Sequence, residues 1–357
     1  MKDKLIYGIQ QIGIGVDDAE NALRWYGAML GSDVVLFDDS HEATFMSPYM
    51  GGKPHKKRAI LAMNMQGGGG YEIWQYLDRK PQRNELKLMI GDFGINIAKV
   101  KSKDIEKSYE RLQNGKVHVL SEIKTDPDGK RCFYICDPDE NILQIKENTS
   151  WYSYHNKDTG GIFGCTIGVK DIDESLRLYS GILGYSDVIY DFTDHFTDLE
   201  SLPNGTARFR RLLLSHSNNR TGGLSKLYGQ SQIELIQTLD TRPKKIFHNR
   251  FWGDIGFIHL CFDTQNFSAL IPECESKGFP FRVLSSESFD MGESNGRFGY
   301  IEDLDGTLIE LVEVFKIPII PKLNLNFNLK KRNPTRPLPD WLIKAMSIKR
   351  IKFKTFS

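Results

Sequence analysis

A pattern that occurs four times is the feature that most constrains the fold of this 357-residue chain. Each copy has a short apolar strand, a turn containing Asp, an amphipathic helix that ends near a Gly, and several strands separated by turn-forming residues. The first copy starts at residues 10–16, and the third repeats it closely from residue 165. The copies recur at about 70 to 95 residues, which is typical of a repeated unit with inserted loops.

The second and fourth copies end alike, because each has an Asp-rich hairpin turn followed by a closing apolar strand. These turns begin at Asp137 and Asp303. Four such units can pair into two domains, and the polar stretch after Trp151 marks a break between consecutive pairs. We therefore expect an N-terminal domain over residues 1–150 and a C-terminal domain over 151–316. A basic tail over 317–357 follows, with a short amphipathic helix around Trp341.

Composition excludes several classes of protein. The formal net charge of +1 gives no overall field for nucleic acid. No apolar run approaches the ~20 residues of a membrane-spanning helix, and the first residues lack the apolar core of a signal peptide. The five cysteines are odd in number and lack zinc-finger spacing, so we expect them to be reduced. These features favour a cytoplasmic protein with neither nucleic-acid nor membrane partners. They leave open whether it is a monomer or a homodimer.

Three polar residues stand in runs that are expected to be buried on both faces. They are Glu234 within residues 232–236, His259 within 257–261, and Glu310 within 308–312. An unpaired carboxylate in such a strand is costly, so a partner must neutralise it. A divalent metal bound by two carboxylates and one imidazole would do so. In the alternative interpretation the glutamates pair with arginines and His259 is a satisfied core imidazole.

The repeat resembles the vicinal oxygen chelate superfamily, which includes glyoxalase I, bleomycin resistance proteins, extradiol dioxygenases, methylmalonyl-CoA epimerase and fosfomycin resistance proteins. The resemblance covers residues 5–315 and depends on the four-fold pattern, the Asp-rich hairpins and the closing Ile-Glu-Leu strands. It implies an α+β fold of four βαβββ units, paired into two cup-shaped mixed β-sheet domains. It also implies metal ligands that point inward from the first and last strands of the units.

The resemblance makes the two expected domains unequal. Its ligand positions fall on Gln11, Glu72, Ile95 and Gln144 in the N-terminal domain, and on Gly164, Glu234, His259 and Glu310 in the C-terminal domain. Because Ile95 cannot bind a metal, the N-terminal domain is expected to be degenerate. The C-terminal domain is expected to hold one divalent ion (Mn, Fe, Co, Ni, Zn or Mg) on Glu234, His259 and Glu310. Gly164 would leave a position open for water or substrate.

The function implied is that of a metal-dependent lyase, isomerase or epimerase acting on a small metal-chelating substrate. Such an enzyme removes a proton beside a carbonyl, with Glu310 or Glu234 as the base. A non-catalytic protein that binds or sequesters a small ligand, of the bleomycin-resistance type, is the alternative. An extradiol-type dioxygenase is less favoured, because Gly164 stands where that group has its first His.

Four further residues are candidates for binding the substrate. Arg208 and Arg210 lie on one face of a predicted strand and could bind a carboxylate or phosphate, although an exposed edge strand with solvated arginines fits the pattern equally well. Trp252 and Tyr300 could line an apolar pocket, or they could be core residues.

Overall fold

Four units of strand, helix and further strands follow one another along the chain, as the sequence predicts. The computed structural model describes residues 3–85, 87–216, 220–286, 289–291, 294–320, 325–329 and 332–353. Unit 1 contains β1 (Leu5–Gly15), α1 (Ala19–Leu30), β2 (Val34–Glu42), a 3-10 helix (Thr44–Tyr49), β3 (Lys56–Met63) and β4 (Gly70–Tyr76). Unit 2 contains β5 (Gly94–Ser102), α2 (Ile105–Asn114), β6 (His118–Val119), β7 (Lys124–Thr125), β8 (Arg131–Cys136) and β9 (Ile142–Glu147).

The second half of the chain repeats this order. Unit 3 contains β10 (Thr159–Gly168), α3 (Ile172–Tyr179), β11 (Asp187–His195), β12 (Arg208–Ser215), α4 (Ser225–Tyr228) and β13 (Gln232–Thr238). Unit 4 contains β14 (Gly256–Gln265), α5 (Phe267–Ser276), β15 (Val283–Leu284), β16 (Phe289–Met291), β17 (Ser294–Glu302) and β18 (Leu308–Ile320). The tail adds β19 (Leu325–Asn328), α6 (Asp340–Ala345) and a 3-10 helix (Met346–Lys349).

The turn aspartates of the repeat start its helices. Asp18 accepts hydrogen bonds from the backbone N–H groups of two residues of α1, and Asp104 and Asp171 cap α2 and α3 in the same way. Such caps satisfy N–H groups that have no partner within the helix. The hairpin aspartates have another role, because the Tyr179 hydroxyl of unit 3 donates to Asp303 of unit 4 at 2.8 Å. In the same way, the Tyr26 hydroxyl of unit 1 donates to Asp137 of unit 2.

The strands form two curved mixed sheets, which confirms the predicted fold class. Among the described residues, a ten-stranded sheet has the order β15-β17-β18-β14-β1-β4-β3-β2, with β16 and β19 attached to β17 and β18. We call it the outer-unit sheet, since it joins units 1 and 4. A nine-stranded sheet has the order β11-β12-β13-β10-β5-β9-β8-β6, with β7 on β8, and we call it the inner-unit sheet.

The units do not pair in the consecutive order that was expected from the sequence. The sheets join unit 1 with unit 4 and unit 2 with unit 3, through antiparallel contacts of β1 with β14 and of β5 with β10. The segment 148–158 connects β9 to β10 within the inner-unit sheet, so the division expected near residue 150 does not separate the sheets. Register shifts along β1 and β14 bend the outer-unit sheet at its centre.

A single hydrophobic cluster includes buried residues from the first strands of all four units, among them Ile14, Ala98, Ile167 and Leu260. The two sheets therefore share one core. In the tail, Leu342 and Ile343 of α6 join a second cluster with Val34 and Tyr228, while Phe353 packs against the first cluster. No helix in the described segments is long and apolar enough to cross a membrane.

Candidate metal centre

Four inward-facing polar side chains meet at the centre of the outer-unit sheet. Gln11 comes from β1, Glu72 from β4, His259 from β14 and Glu310 from β18. These strands are neighbours, so the first and last strands of units 1 and 4 bring one polar residue each to the same concave surface. Glu72, His259 and Glu310 each offer a ligand atom within 4.8 Å of the others, and all three side chains are buried.

A glycine makes room for the imidazole. Gly13 lies opposite Glu72 on one side of β1 and opposite His259 on the other. A Cβ atom at Gly13 would stand 2.2 Å from Cε1 of His259, which is far closer than two carbon atoms can approach. The absence of a side chain at Gly13 therefore allows the ring of His259 to extend across β1 towards Glu72.

The polar atoms of the site are close together, yet several have no hydrogen-bond partner. His259 Nε2 lies 3.1 Å from Glu72 Oε2 and 3.1 Å from Glu310 Oε2, and neither contact has hydrogen-bond geometry. Gln11 Nε2 donates to Glu72 Oε2 at 3.2 Å. Within the described residues, Gln11 Oε1, Glu310 Oε2 and both ring nitrogens of His259 are buried without a hydrogen-bond partner, although His259 Nε2 is within ion-pair distance of both carboxylates. Such groups are rare in proteins and each calls for an explanation.

A divalent cation fits this arrangement. Neighbouring ligands of an octahedral ion with bonds of about 2.1 Å are about 3 Å apart, as the His259 and carboxylate atoms are. Two carboxylates, one imidazole and the amide oxygen of Gln11 suit Mn, Fe, Co, Ni, Zn or Mg. The free lone pair of Glu310 Oε2 would then face the ion, and Gln11 would offer its oxygen once its amide group turns over, because its Nε2 now faces Glu72.

The electrostatics show how strongly the carboxylates attract a positive charge. Burial disfavours the imidazolium form of His259, but Glu310 and Glu72 outweigh burial and raise its pKa to about 9. Burial acts against the charged form of Glu72, but His259 and Lys57 hold its pKa below the ordinary value. This surface therefore carries a negative potential that a proton or a cation can neutralise.

A cavity opens onto Glu72 and Glu310. It measures about 710 Å³ including its open mouth. It is lined by Phe37, Asp39, His41, Glu42, Ala43, Thr44, Phe45, Met46, Lys57, Glu72, Trp252, Phe298, Tyr300 and Glu310. The candidates Trp252 and Tyr300 are among these residues and flank His259, with ring centroids 6.1 and 5.5 Å from the imidazole. Burial, Glu310 and Glu72 raise the pKa of the Tyr300 phenol, which therefore remains protonated.

Glu234 does not belong to this site, which corrects the predicted ligand set. It lies on β13 in the inner-unit sheet. Its carboxylate accepts hydrogen bonds from Lys99 Nζ at 2.6 Å, Arg211 Nε at 2.6 Å, Thr166 Oγ1 at 2.7 Å and the Tyr190 hydroxyl at 2.7 Å. Buried cations thus neutralise this carboxylate, as the alternative interpretation of the sequence proposed for it, and no metal is needed there.

The other ligand positions of the inner-unit sheet are also unsuited to a metal. Gln144 accepts from Lys99 Nζ at 3.0 Å, and Ile95 has no ligand atom. Gly164 lies on β10, where a Cβ would stand 2.3 Å from the Gln232 carbonyl oxygen. The open position expected at Gly164 is therefore in the other sheet from His259 and Glu310.

The arginine candidates are not among the residues that line the cavity. Arg210 forms ion pairs with Asp173 and Asp191 on the exposed side of β12, each with a shortest distance of 2.8 Å. Arg208 is exposed at the start of the same strand. Of the two alternatives left open for Arg208 and Arg210, the solvated face agrees with the structure, and the inward residue is Arg211, which is 1% exposed and forms an ion pair with Asp198 at 2.8 Å.

Sequence reasoning missed Lys57, His41 and the aromatic residues Phe37, Phe45 and Phe298 of the cavity. The alternation along β3 contained a signal for Lys57, since Lys57, Ala59 and Leu61 share one face of that strand. Gln11 and Glu72 were identified at ligand positions, but they were assigned to a degenerate domain because units 1 and 2 were expected to pair.

Comparison with known proteins agrees with this architecture. Two family models, both described as glyoxalase/bleomycin resistance protein/dioxygenase superfamily, match residues 8–145 and 165–300. No curated protein matches the chain. Among solved structures, glyoxalase I from Zea mays superposes with a TM-score of 0.55 at 12% identity, covering 87% of this chain and 92% of that one.

A second solved structure covers almost the whole chain. A Bacillus subtilis protein provisionally named a dioxygenase has a TM-score of 0.56 at 14% identity, and the match covers 99% of each chain. At such low identity these likenesses show a shared fold. The two family models together match more than half of the residues, and the chain belongs to the glyoxalase/bleomycin resistance protein/dioxygenase superfamily.

Proposed function

We propose that the protein is a metal-dependent lyase, isomerase or epimerase that removes a proton beside a carbonyl of a small, oxygen-chelating substrate. One divalent ion would be held by Gln11, Glu72, His259 and Glu310. The observation that supports this best is the set of buried ligand atoms without hydrogen-bond partners, gathered at the base of an open cavity. When bound, the ion would act as a Lewis acid on the substrate's vicinal oxygens.

Glu310 is the residue best suited to accept the proton. Its Oε2 atom has no hydrogen-bond partner among the described residues, whereas Glu72 Oε2 is already engaged by Gln11 Nε2. Both carboxylates line the cavity, so a substrate proton can reach Glu310 directly. The aromatic side chains of Trp252 and Tyr300 beside the site restrict water, which strengthens the electrostatic interactions there.

The ligand set distinguishes this proposal from oxygen-activating chemistry. Non-haem iron oxygenases commonly use two histidines and one carboxylate. The cluster here has one histidine and two carboxylates. Gly164 lies in the other sheet and says nothing about this cluster, so the ratio of imidazole to carboxylate is what disfavours a dioxygenase.

Metal analysis and proton exchange together test the proposal. The purified protein, dialysed against Mn²⁺ and then against metal-free buffer, is expected to retain one ion per chain. Glu310→Gln is expected to weaken retention, while Glu42→Gln, which changes an exposed carboxylate at the cavity rim, is expected not to. Proton NMR in D₂O would then follow exchange beside the carbonyl in a panel of α-hydroxy ketones and hemithioacetals.

The outcomes separate the proposal from the binding alternative. Exchange that is lost in Glu310→Gln supports an enzyme. A metal-loaded protein that binds panel members without any exchange would instead indicate a sequestering protein. Failure of the wild-type protein to retain any ion would overturn the proposed metal centre.

A further inference from the structure

Lys57 is a buried cation without a carboxylate partner. It is the second residue of β3, is only 8% exposed and lines the cavity beside Glu72 and Glu310. Its Nζ atom lies 5.6 Å from the centre of the Trp74 ring. Across the described segments, no Asp or Glu oxygen lies within 4.0 Å of this atom and no side chain or carbonyl accepts a hydrogen bond from it.

The buried lysines of the inner-unit sheet each have a partner, which for Lys101 Nζ is the Ser150 carbonyl oxygen at 2.8 Å and for two others is a carboxylate. Lys99 Nζ lies 2.6 Å from the Glu234 carboxylate. Lys146 Nζ lies 3.0 Å from Asp126 and 2.8 Å from Asp128. Within the described residues Lys57 has neither a carboxylate nor a carbonyl partner, and it lines the open cavity instead.

A bound divalent ion would leave the positive charge of Lys57 with even less negative charge nearby. The carboxylates whose charges reach Lys57 are Glu72, Glu310 and Asp39. Two of them belong to the candidate metal centre, where a divalent ion would cancel their charge. The inner end of the cavity would then carry a net positive charge, which favours a ligand that brings one negative charge.

The rest of the cavity limits the polarity and charge of that ligand. Its walls are largely apolar and include Phe37, Met46 and Phe298. Asp39 and Glu42 lie on the same rim, where Asp39 is half-buried and Glu42 is exposed. An apolar body suits the walls, and a second negative charge near the rim would be repelled.

We infer that Lys57 is the anion-binding residue of the cavity, and that the substrate is a small mono-anion with vicinal oxygens and an apolar body. This inference depends on the proposed metal centre, because the ion both chelates the oxygens and cancels the charges of Glu72 and Glu310. Lys57 contacts the negative oxygen of the ligand through a charge-assisted hydrogen bond. Trp74, behind the ammonium, holds it at the inner end of the cavity.

Two matched probes test the inference on the Mn²⁺-loaded protein. Mandelate has a phenyl ring, a hydroxyl and a carboxylate, and mandelamide has the same shape without the charge. Isothermal titration calorimetry of the wild-type protein is expected to give about tenfold tighter binding of mandelate. Equal affinities, or binding of neither probe, would overturn the inference without any variant having to fold.

Variants locate the effect at Lys57. Lys57→Met is expected to weaken mandelate binding by about tenfold and leave mandelamide unchanged, while Lys57→Arg keeps the preference for mandelate. Lys56→Met, which removes the exposed neighbouring charge on the other face of β3, is the control and is expected to behave as wild type.

The metal titration separates the two proposals. Lys57→Met is expected to bind Mn²⁺ more tightly than wild type, since a repelling positive charge is gone. If the wild-type protein binds no Mn²⁺, the proposed metal centre fails. If it binds Mn²⁺ and Lys57→Met has unchanged affinities for both Mn²⁺ and mandelate, the role of Lys57 alone is refuted.

Discussion

Replacing Glu234 with Gln removes a negative charge from between two buried cations. The Glu234 carboxylate is 2.6 Å from both Lys99 Nζ and Arg211 Nε, and all three side chains are at most 1% exposed. Gln has a similar shape, so the substitution leaves the cations in place without their common anion. Breaking a buried ion pair in this way costs about 3–5 kcal/mol.

That loss corresponds to a measurable change in melting temperature. With an unfolding entropy of about 2.1 cal/mol/K per residue, a chain of this length has about 0.75 kcal/mol/K in total. Glu234→Gln is therefore expected to melt about 4–7 °C below wild type in differential scanning calorimetry. Retention of Mn²⁺ is expected to be unchanged, because the inner-unit sheet holds no part of the metal cluster.

Glu72→Gln is the matched comparison. Glu72 occupies on β4 the position that Glu234 occupies on β13. We expect Glu72→Gln to lose Mn²⁺, and its melting temperature to lie within a few degrees of that of wild-type protein stripped of metal. The reverse result, in which Glu234→Gln loses the metal at unchanged stability and Glu72→Gln retains it, would refute the reasoning about which sheet binds the ion.

The pH dependence of the Glu234 contribution has a definite sign. Burial opposes its charged form, but Arg211 and Lys99 hold its pKa well below the ordinary value. A depressed pKa gives stability that is complete above the unfolded value of about 4.3 and is lost as the pH falls further. Urea denaturation between pH 6 and pH 3 should therefore show a steeper loss of stability in wild type than in Glu234→Gln.

Three further substitutions test other parts of the structure. Burial raises the pKa of Asp263 to about 7, so its contribution to stability is lost as the pH rises from about 4 through 7. In Asp263→Asn, the free energy of unfolding measured with urea should therefore change less with pH across that range. An unchanged pH dependence would contradict the raised pKa of Asp263. Gly13→Ala should weaken Mn²⁺ binding by at least about tenfold in calorimetric titration, because its methyl group would displace His259; wild-type affinity would argue against the ring position. Tyr179→Phe removes the phenol from Asp303 and should cost about 1–3 kcal/mol of unfolding free energy, and a value near zero would count against this link between units 3 and 4.

Local chemistry made the repeat and its elements predictable from sequence. Asp18 precedes an amphipathic helix and caps it, as its position before an apolar-periodic segment indicates. His259 and Glu310 could be identified as inward-facing residues because each interrupts an apolar run, and a polar group in such a strand needs a partner. Both lie in the cluster that could hold a metal.

The pairing of the units could not be obtained in this way. The first strands of units 1 and 3 have nearly the same pattern, with Gly15 and Gly168 each between an Ile and a Val, so nothing local says which unit each one joins. This choice decides whether Glu72 or Glu234 faces His259. The partner of Glu234 is also remote, because Lys99 lies 135 positions away in the chain.

Anomalous X-ray diffraction from crystals soaked in Mn²⁺ tests the central claim most directly. A single strong peak is expected between Glu72 Oε2, His259 Nε2 and Glu310 Oε2, within bonding distance of Gln11 Oε1. A peak beside Glu234, or no peak at the centre of the outer-unit sheet, would contradict the account.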